Sequence, residues 1–278
     1  MHKNELKIGS MCKMLKVSRS GYYRCQKQQG RPRDTANLLR DIRRVFYESR
    51  KTYGSPRIYR QFKGEGIRCG RHRIARLMHD DGIVARKHKR YKKPVSKQRI
   101  QPAADNILNR EFHVKARNNV WACDVSYFWT RNGWVHLAVV MDLFSRKIIG
   151  WSMSDRIDKE LTKNALRMAL DARKPGKSIV HHSDQGAEYS NKEYQRLLSA
   201  NRMAISMSRK ANCYDNAVVE SFFKTIKAEL TRRRSFNAKD DARSAIFEYI
   251  EVFYNRKRMH STLGYLSPVE YERLNSVN

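Results

Sequence analysis

Three apolar segments rich in aromatic and β-branched residues follow one another closely in the middle of the chain. They are NVWACDVSYFWT (119–130), WVHLAVVMDLFS (134–145) and KIIGWSMS (147–154). Segments of this composition favour strands, and the short turns between them favour antiparallel neighbours. We therefore predict a three-stranded antiparallel meander. No other feature constrains the fold as much, because an apolar sheet must be covered by a second layer.

Downstream of the meander, helical and strand patterns alternate. SIVHH (178–182) and AISMS (204–208) are typical of strands. Helical spacing of apolar residues occurs at 158–173, 191–200, 215–230 and 238–254. Hairpin strands followed by alternating helix and strand predict a mixed α/β sheet with helices on its faces.

The N-terminal part has helical periodicity throughout, with predicted helices at 11–24 (two short ones), 35–50, 53–62 and 70–79. Ser18 is a suitable N-cap for the second short helix. The last helix, GRHRIARLMH, is expected to point Arg71, Arg73 and Arg76 outward. A helix-turn-helix presents such a helix to the DNA major groove, whereas the alternative is a solvated charged face.

The charge of the chain points to a polyanionic partner. Lys and Arg number 58 against 27 Asp and Glu, a net charge of +31. Residues 84–99 alone hold eight basic residues and no acid, among them Lys87, Lys89 and Arg90, which we expect to contact nucleic acid. Such chains bind phosphate backbones by releasing counterions. Charge by itself also allows a structural RNA-binding protein.

The composition is less consistent with a membrane protein, a secreted protein, or a protein built on disulfides or zinc. No run of about 18 apolar residues predicts a membrane helix, and the N-terminus lacks the apolar centre of a signal peptide. The five cysteines form no C-x-x-C pair, which argues against a disulfide framework or a zinc site. We expect a cytoplasmic protein. The boundaries that we expect are a short helical segment (1–30), a helix-turn-helix-like domain (31–83), a basic linker (84–115) and an α/β catalytic domain with C-terminal helices (116–278).

Three carboxylates stand at places where the predicted fold can bring them together. Asp124 lies inside the first strand, on the face of Ala122 and Ser126. Asp184 follows the fourth strand, and Glu220 lies on the helix at 215–230, with 35 residues between these two acids. A carboxylate in an apolar strand is costly unless it is paired or binds a metal. Hard cations such as Mg²⁺ prefer oxygen ligands.

The motifs WACDVSYF, HHSDQGAEYS and NCYDNAVVESFFKTIKAEL resemble the Asp-Asp-Glu core of integrase-type enzymes. More narrowly, the chain resembles the second-frame product of the IS-three family of bacterial insertion-sequence transposases. YGSPRIYRQF…GIRCGRHRIARLM is similar to the helix-turn-helix region of that family, and FYNRKRMHSTLGYLSPVEY (253–271) to its tail. The resemblance covers roughly residues 35–275. One departure is Ala211, where the family pattern has glycine, which puts the flexibility of the loop before the Glu220 helix in doubt.

The resemblance implies a ribonuclease-H-like fold, two Mg²⁺ or Mn²⁺ ions, and DNA cleavage and strand transfer. It places Asp124, Asp184 and Glu220 on the catalytic, metal-binding positions. It also implies element ends and target DNA as partners, a homo-multimer on DNA in the bacterial nucleoid, and an upstream-frame partner or fusion. Two alternatives remain open: a DNA-binding protein without catalysis, and a metal nuclease that hydrolyses without joining.

Each candidate residue also has a purely structural interpretation. Asp124 could pair with a buried arginine, and Asp184 could be the turn residue before Gln185 and Gly186. Glu220 could pair with Lys224 at i+4. Asp142, at the end of the second strand, is interpreted as a turn or ion-pair residue, Asp215 or Asn216 as the cap of the Glu220 helix, and Glu188 as a surface residue. Four further interpretations concern small groups of residues. His182 and Asn216 are candidates to support the metal ligands, although His182 could simply pack. Lys224 and Lys227 could hold DNA or lie on a solvated face. Zinc at His181, His182 and Asp184 lacks a fourth ligand. DNA contact or helix capping remains open for Tyr254, Asn255, Arg258 and His260.

Overall fold

The structure is a computed structural model that describes residues 8–29, 32–85, 104–176, 179–209, 214–231 and 236–275. The chain divides into two compact units, Met1–Ala85 and Arg86–Asn278. Lys87, Lys89 and Arg90, which are predicted to contact DNA, lie outside the described residues, as does Ala211. Across the described ranges, no helix combines the length and the apolar character needed to cross a membrane.

The described part of the first unit is helical, as predicted. Its helices are α1 (Ile8–Met14), α2 (Arg19–Gln29), α3 (Pro32–Glu48), α4 (Ser55–Gly64) and α5 (Arg71–Asp80). The Ser18 hydroxyl accepts a hydrogen bond from the Gly21 amide at 3.0 Å, which confirms the predicted cap of α2. Ile42, Ile58, Phe62 and Ile74 are completely buried, so α3, α4 and α5 enclose one small core.

The second unit contains the predicted mixed sheet. Its strands are β1 (Val120–Thr130), β2 (Gly133–Asp142), β3 (Lys147–Ser154), β4 (Val180–Ser183) and β5 (Ala204–Met207), in the order β3-β2-β1-β4-β5. The first three strands are antiparallel, and β4 is parallel to both β1 and β5. The meander prediction is confirmed. Strand β2 ends three residues earlier than predicted, because the Asp142 carboxylate accepts from the Phe144 amide and starts the turn.

Helices cover both faces of this sheet. They are α6 (Lys159–Arg173), α7 (Ala187–Ser190), α8 (Lys192–Ala200), α9 (Ala217–Ile226), α10 (Lys239–Glu248) and α11 (Pro268–Asn275). Helices α9 and α10 continue into wider π-type turns, Lys227–Thr231 and Tyr249–Tyr254. Side-chain alternation along β1 divides the core. Trp121 and Cys123 pack with residues of α6 and α8, whereas Ala122 and Phe128 pack with residues of α9 and α10.

The sheet and α6 approach each other closely at Gly150 in β3. A β-carbon there would lie 2.2 Å from the Ala165 carbonyl oxygen and 2.7 Å from the Ala169 amide nitrogen, both backbone atoms of α6. Gly150→Ala must therefore displace the helix, and we expect it to lower the free energy of unfolding by about 3 kcal/mol, the upper part of the range for overpacking. Urea unfolding measures the change. Gly176→Ala is the matched control, since a β-carbon there meets no atom within 4 Å; equal midpoints for the two variants would contradict the packing.

Candidate active site

The parallel pairing of β1 with β4 places the first two acids. Ala122 lies opposite His182 in this pairing. Asp124 is two residues beyond Ala122, and Asp184 is two residues beyond His182. Because side chains alternate with a period of two, Asp124 lies on the same face of the sheet as Ala122, and Asp184 on the same face as His182. The two carboxylates therefore emerge at the same level of adjacent strands.

Backbone amides orient both carboxylates. One oxygen of Asp124 accepts from the Val125 amide at 2.9 Å, and one oxygen of Asp184 accepts from the Gly186 amide at 3.0 Å. Asp124 is 9% exposed and Asp184 is half-buried. Each carboxylate is thus oriented by a backbone amide one or two residues further along the chain.

Helix α9, which carries the third acid, is bonded to β1 directly before Asp124. The Asn216 amide group donates to the Cys123 carbonyl oxygen at 2.9 Å, directly before Asp124 in β1. Glu220 lies four residues after Asn216, on the same side of the helix, and is 9% exposed. The sequence interpretation of Asn216 as a side-chain cap was wrong: it occupies the N-cap position, but its side chain bonds to β1 instead of to the helix amides. That bond fixes where α9 begins relative to Asp124.

Asp215 is not a helix cap either. Its fully buried carboxylate accepts from the Arg209 amide at 3.0 Å and from the Arg209 and Arg110 guanidinium groups at 2.8–2.9 Å. These hydrogen bonds, Arg209 foremost, hold the pKa of Asp215 well below its ordinary value. Asp215 thus anchors the chain that enters α9 while charged.

Two lysines follow Glu220 on α9 and its continuation. The Lys224 ammonium group lies 3.2 Å from a Glu220 oxygen, so the i+4 pair expected from the structural interpretation is present. Lys224 is 60% exposed on its side chain, and an exposed pair of this kind is worth little. Lys227 is different: its ammonium group lies 4.6 Å from the centre of the Tyr127 ring.

The two histidines of β4 are both buried and bonded. The His182 ring nitrogens lie 2.9 Å from the Ser206 hydroxyl and 3.3 Å from the Ser208 hydroxyl, and burial lowers the pKa of His182 to about 4. His181 lies 2.8 Å from the Tyr194 hydroxyl, and burial lowers its pKa to about 3. His182 therefore links β4 to β5 as a neutral ring just before Asp184.

Glu188 was missed by the sequence interpretation, which placed it on the surface. It is half-buried, and one of its oxygens lies 2.8 Å from the position that a β-carbon on Gly186 would take. An oxygen of Asp184 lies 2.9 Å from the same point. Burial and, to a lesser extent, Asp184 raise the pKa of Glu188. Its position four residues after Asp184, beyond a glycine turn, was the available signal.

The remaining candidates are structural in this unit. Asp142 is fully buried, accepts from the Asn118 and Phe144 amides, and lies 4.0 Å from Arg173, as its ion-pair interpretation predicted. Asn255 bonds both backbone groups of Ile148. Arg258 is 4% exposed and pairs with Glu229 at 2.7 Å. Tyr254 is also buried, with the His260 ring 4.8 Å from its own, so these side chains pack within the unit.

Of the three arginines on α5 that were predicted to point outward, two are exposed and one is not. Arg71 and Arg76 are exposed on α5, while Ile74, Leu77 and Met78 are buried, as predicted. Arg73 is half-buried and its guanidinium group lies 3.3 Å from the Thr35 hydroxyl. The prediction that Arg73 points outward was therefore wrong, because its side chain turns toward α3.

The three acids offer the oxygen donors that a hard divalent cation prefers. Nowhere in the described ranges do three His, Cys, Asp or Glu side chains stand close enough together to enclose an ion by themselves. Mg²⁺ is commonly held by one or two carboxylates together with substrate phosphates and water. Carboxylates inside β1 (Asp124), directly after β4 (Asp184) and on α9 (Glu220) fit that mode of binding.

Comparisons with known proteins agree with this architecture. Residues 32–91 match the family model of an HTH-like domain, and residues 114–213 and 220–275 match two models of an integrase core domain. The fold is therefore that of an integrase core preceded by a helical helix-turn-helix-like region. A chain of a simian T-cell lymphotropic virus intasome is 15% identical and superposes with a TM-score of 0.49 over 76% of this chain and 68% of its own, a likeness too low to bear on function.

Curated relatives match over nearly the whole chain. A 31 kDa protein of insertion element IS600 from Shigella sonnei is 38% identical over 263 residues, 94% of this chain and 97% of the relative. The transposase InsF of insertion sequence IS3A from Escherichia coli K12 is 36% identical over 282 residues, 99% of this chain and 96% of the relative. An integrase core, a helix-turn-helix-like region and this full-length identity lead to one conclusion: the chain belongs to the IS3 family of insertion-sequence transposases and functions in DNA transposition.

Proposed function

We propose that Asp124, Asp184 and Glu220 bind two divalent metal ions, Mg²⁺ or Mn²⁺, and catalyse cleavage and strand transfer at the ends of an insertion sequence. The parallel register of β1 and β4 carries this proposal, because it brings Asp124 and Asp184 to the same level of adjacent strands. The Asn216 bond to β1 supports the placement of Glu220 beside them. Bound ions would activate the attacking hydroxyl and stabilise the leaving oxygen of an in-line displacement at phosphorus.

The chain itself orients the reactants in this proposal. The Val125 and Gly186 amides orient the carboxylates of Asp124 and Asp184. Lys224, exposed next to Glu220, is placed to bind a phosphate of the DNA end. Cys123, the nucleophilic side chain nearest to Asp124 in sequence, is buried, and burial raises the pKa of its thiol. Water and a DNA 3′-hydroxyl are therefore the nucleophiles that we propose.

A labelled duplex carrying the element's own end and flank tests this function. Incubated with purified protein and Mn²⁺, it should give a nicked strand and a new, longer, joined strand. Nicked strands alone would favour the hydrolytic nuclease. Bound DNA without any product would favour the binding-only protein, provided that the protein fused to its upstream frame also gives none.

We further propose that α5 contacts DNA through Arg71 and Arg76. Each Arg→Ala variant should weaken duplex binding and reduce the slope of log affinity against log salt by about 1, the effect of one lost phosphate contact. Fluorescence anisotropy at several salt concentrations measures both quantities. Arg40→Ala, an exposed arginine on α3, is the matched control. If Arg71→Ala and Arg76→Ala keep the wild-type slope, α5 does not contact the backbone.

A further inference from the structure

Three large aromatic side chains are exposed together on the hairpin formed by β1 and β2. Tyr127 is 48% exposed, Trp129 57% and Trp134 43%. Trp129 and Trp134 lie opposite each other, with ring centres 4.7 Å apart, and Tyr127 lies 5.0 Å from Trp134. We call these three residues the aromatic platform. Most proteins bury such side chains, so a contiguous exposed group marks a contact surface.

The platform is exposed because the sheet extends beyond its covering layer. By alternation, Tyr127 and Trp129 share a face with Trp121 and Cys123. Trp121 and Cys123 are buried among residues of α6 and α8. Further along β1 the same face is open. The pairing of β1 with β4 also ends at Ala122. Beyond Ala122, β1 pairs with β2, and Thr130 at the end of β1 also forms a bridge with Phe236.

The charges beside the platform favour DNA as its occupant. The Lys227 ammonium group lies 4.6 Å from the Tyr127 ring centre and 5.8 Å from that of Phe128. Lys227 is seven residues after Glu220, two turns along the same helical segment, and therefore on its side. A second copy of the chain would bring another net charge of +31 to this surface, and the two would repel each other. DNA brings phosphates that neutralise this charge and bases that stack on aromatic rings.

The platform lies on the face of the sheet opposite to that of Asp124. Tyr127 follows Asp124 by three residues, about 10 Å of strand, and an odd spacing along a strand changes the face. The platform therefore faces away from the proposed metal ligands. Within a duplex the base faces are stacked on one another, so only an unpaired base can present its face to a protein ring.

We propose that Tyr127, Trp129 and Trp134 stack on unpaired bases of the DNA that the integrase core binds. That the core binds DNA rests on the proposed function. The stacking itself requires neither metal nor catalysis, and it can be tested separately.

Binding of fluorescein-labelled oligonucleotides without metal tests the platform. The probes are a thymidine 15-mer and a 15-base-pair duplex. Trp129→Leu should weaken binding of the single strand about tenfold, the loss of one stacked base, and change duplex binding less than twofold. Trp129→Phe keeps a ring and should restore most of the single-strand affinity. Phe247→Leu is the matched control, since Phe247 is an aromatic residue 49% exposed on α10.

Two results would overturn the proposal. The first is that the Trp129→Leu and Trp134→Leu variants bind the single strand as tightly as the wild type. The second is that these variants also lose a self-association that the wild type shows in sedimentation velocity without DNA. That second result would identify the platform as an interface between copies of the chain. If the platform fails while Glu220→Gln still abolishes cleavage, the catalytic proposal stands without it.

Discussion

Glu220→Gln is expected to reduce DNA cleavage and joining by about 10²- to 10³-fold, with duplex affinity unchanged within about twofold. The substitution keeps the size of a side chain that is 9% exposed on α9, so the fold should be retained. It removes the charge that we propose to bind an ion, and such an ion supplies several kcal/mol of transition-state stabilisation. Single-turnover rates of nicked and joined product measure the effect.

Glu193→Gln is the control for this variant. Glu193 pairs with Lys159 and Lys163 on the surface and is 45% exposed on its side chain, so the charge change is identical while the site is untouched. Its rate should equal that of the wild type. Equal product from Glu220→Gln and Glu193→Gln would remove Glu220 from the chemistry and indicate a contaminating nuclease.

Arg258→Leu is expected to lower the free energy of unfolding by about 3–5 kcal/mol, the usual effect of removing one partner of a buried ion pair. Both side chains of the Arg258–Glu229 pair are at most 5% exposed, and Tyr249 also donates to Glu229 at 2.7 Å. The variant would leave the Glu229 carboxylate charged and buried without its cation. Urea unfolding followed by circular dichroism measures the loss.

A control variant and a double variant complete this test. Arg243→Leu removes a partly exposed arginine that pairs with Asp155 and Asp240, and it should change stability by less than about 1 kcal/mol. Replacing both Arg258 and Glu229 by Leu should be less harmful than Arg258→Leu alone, because no unpaired charge stays buried. If the double variant loses as much free energy of unfolding as the Arg258→Leu and Glu229→Leu single variants together, the two residues do not form the proposed buried ion pair.

Local patterns predicted the parts of the fold that depend on local sequence. Alternation and turn spacing located the meander, and the face of β1 that carries Asp124 followed from the period of two. Helical periodicity located α6, α8, α9 and α10 to within a few residues, apart from the π-type turns. The short helix α7 and the C-terminal α11 were not predicted, because their few apolar residues give no clear period.

Non-local contacts could not be predicted from the residues. The parallel pairing of β1 with β4 brings Ala122 opposite His182, 60 positions away in the sequence. The bond from Asn216 to Cys123 joins residues 93 positions apart. Arg73 turning to Thr35 and Glu188 packing near Asp184 are of the same kind. Spacing alone would have left the three acids unconnected; the resemblance to the transposase family linked them, and their catalytic role stays a prediction.

Mn²⁺ binding is the most direct test of the proposed metal site. Electron paramagnetic resonance of free Mn²⁺ counts the ions taken up by the wild-type protein on its DNA end and by the Asp184→Asn protein on the same DNA. We expect up to two Mn²⁺ ions at the site of the wild type, and at least one of them to be lost in the variant. Equal Mn²⁺ uptake by both proteins would show that Asp184 holds no ion, and it would contradict the proposed metal site.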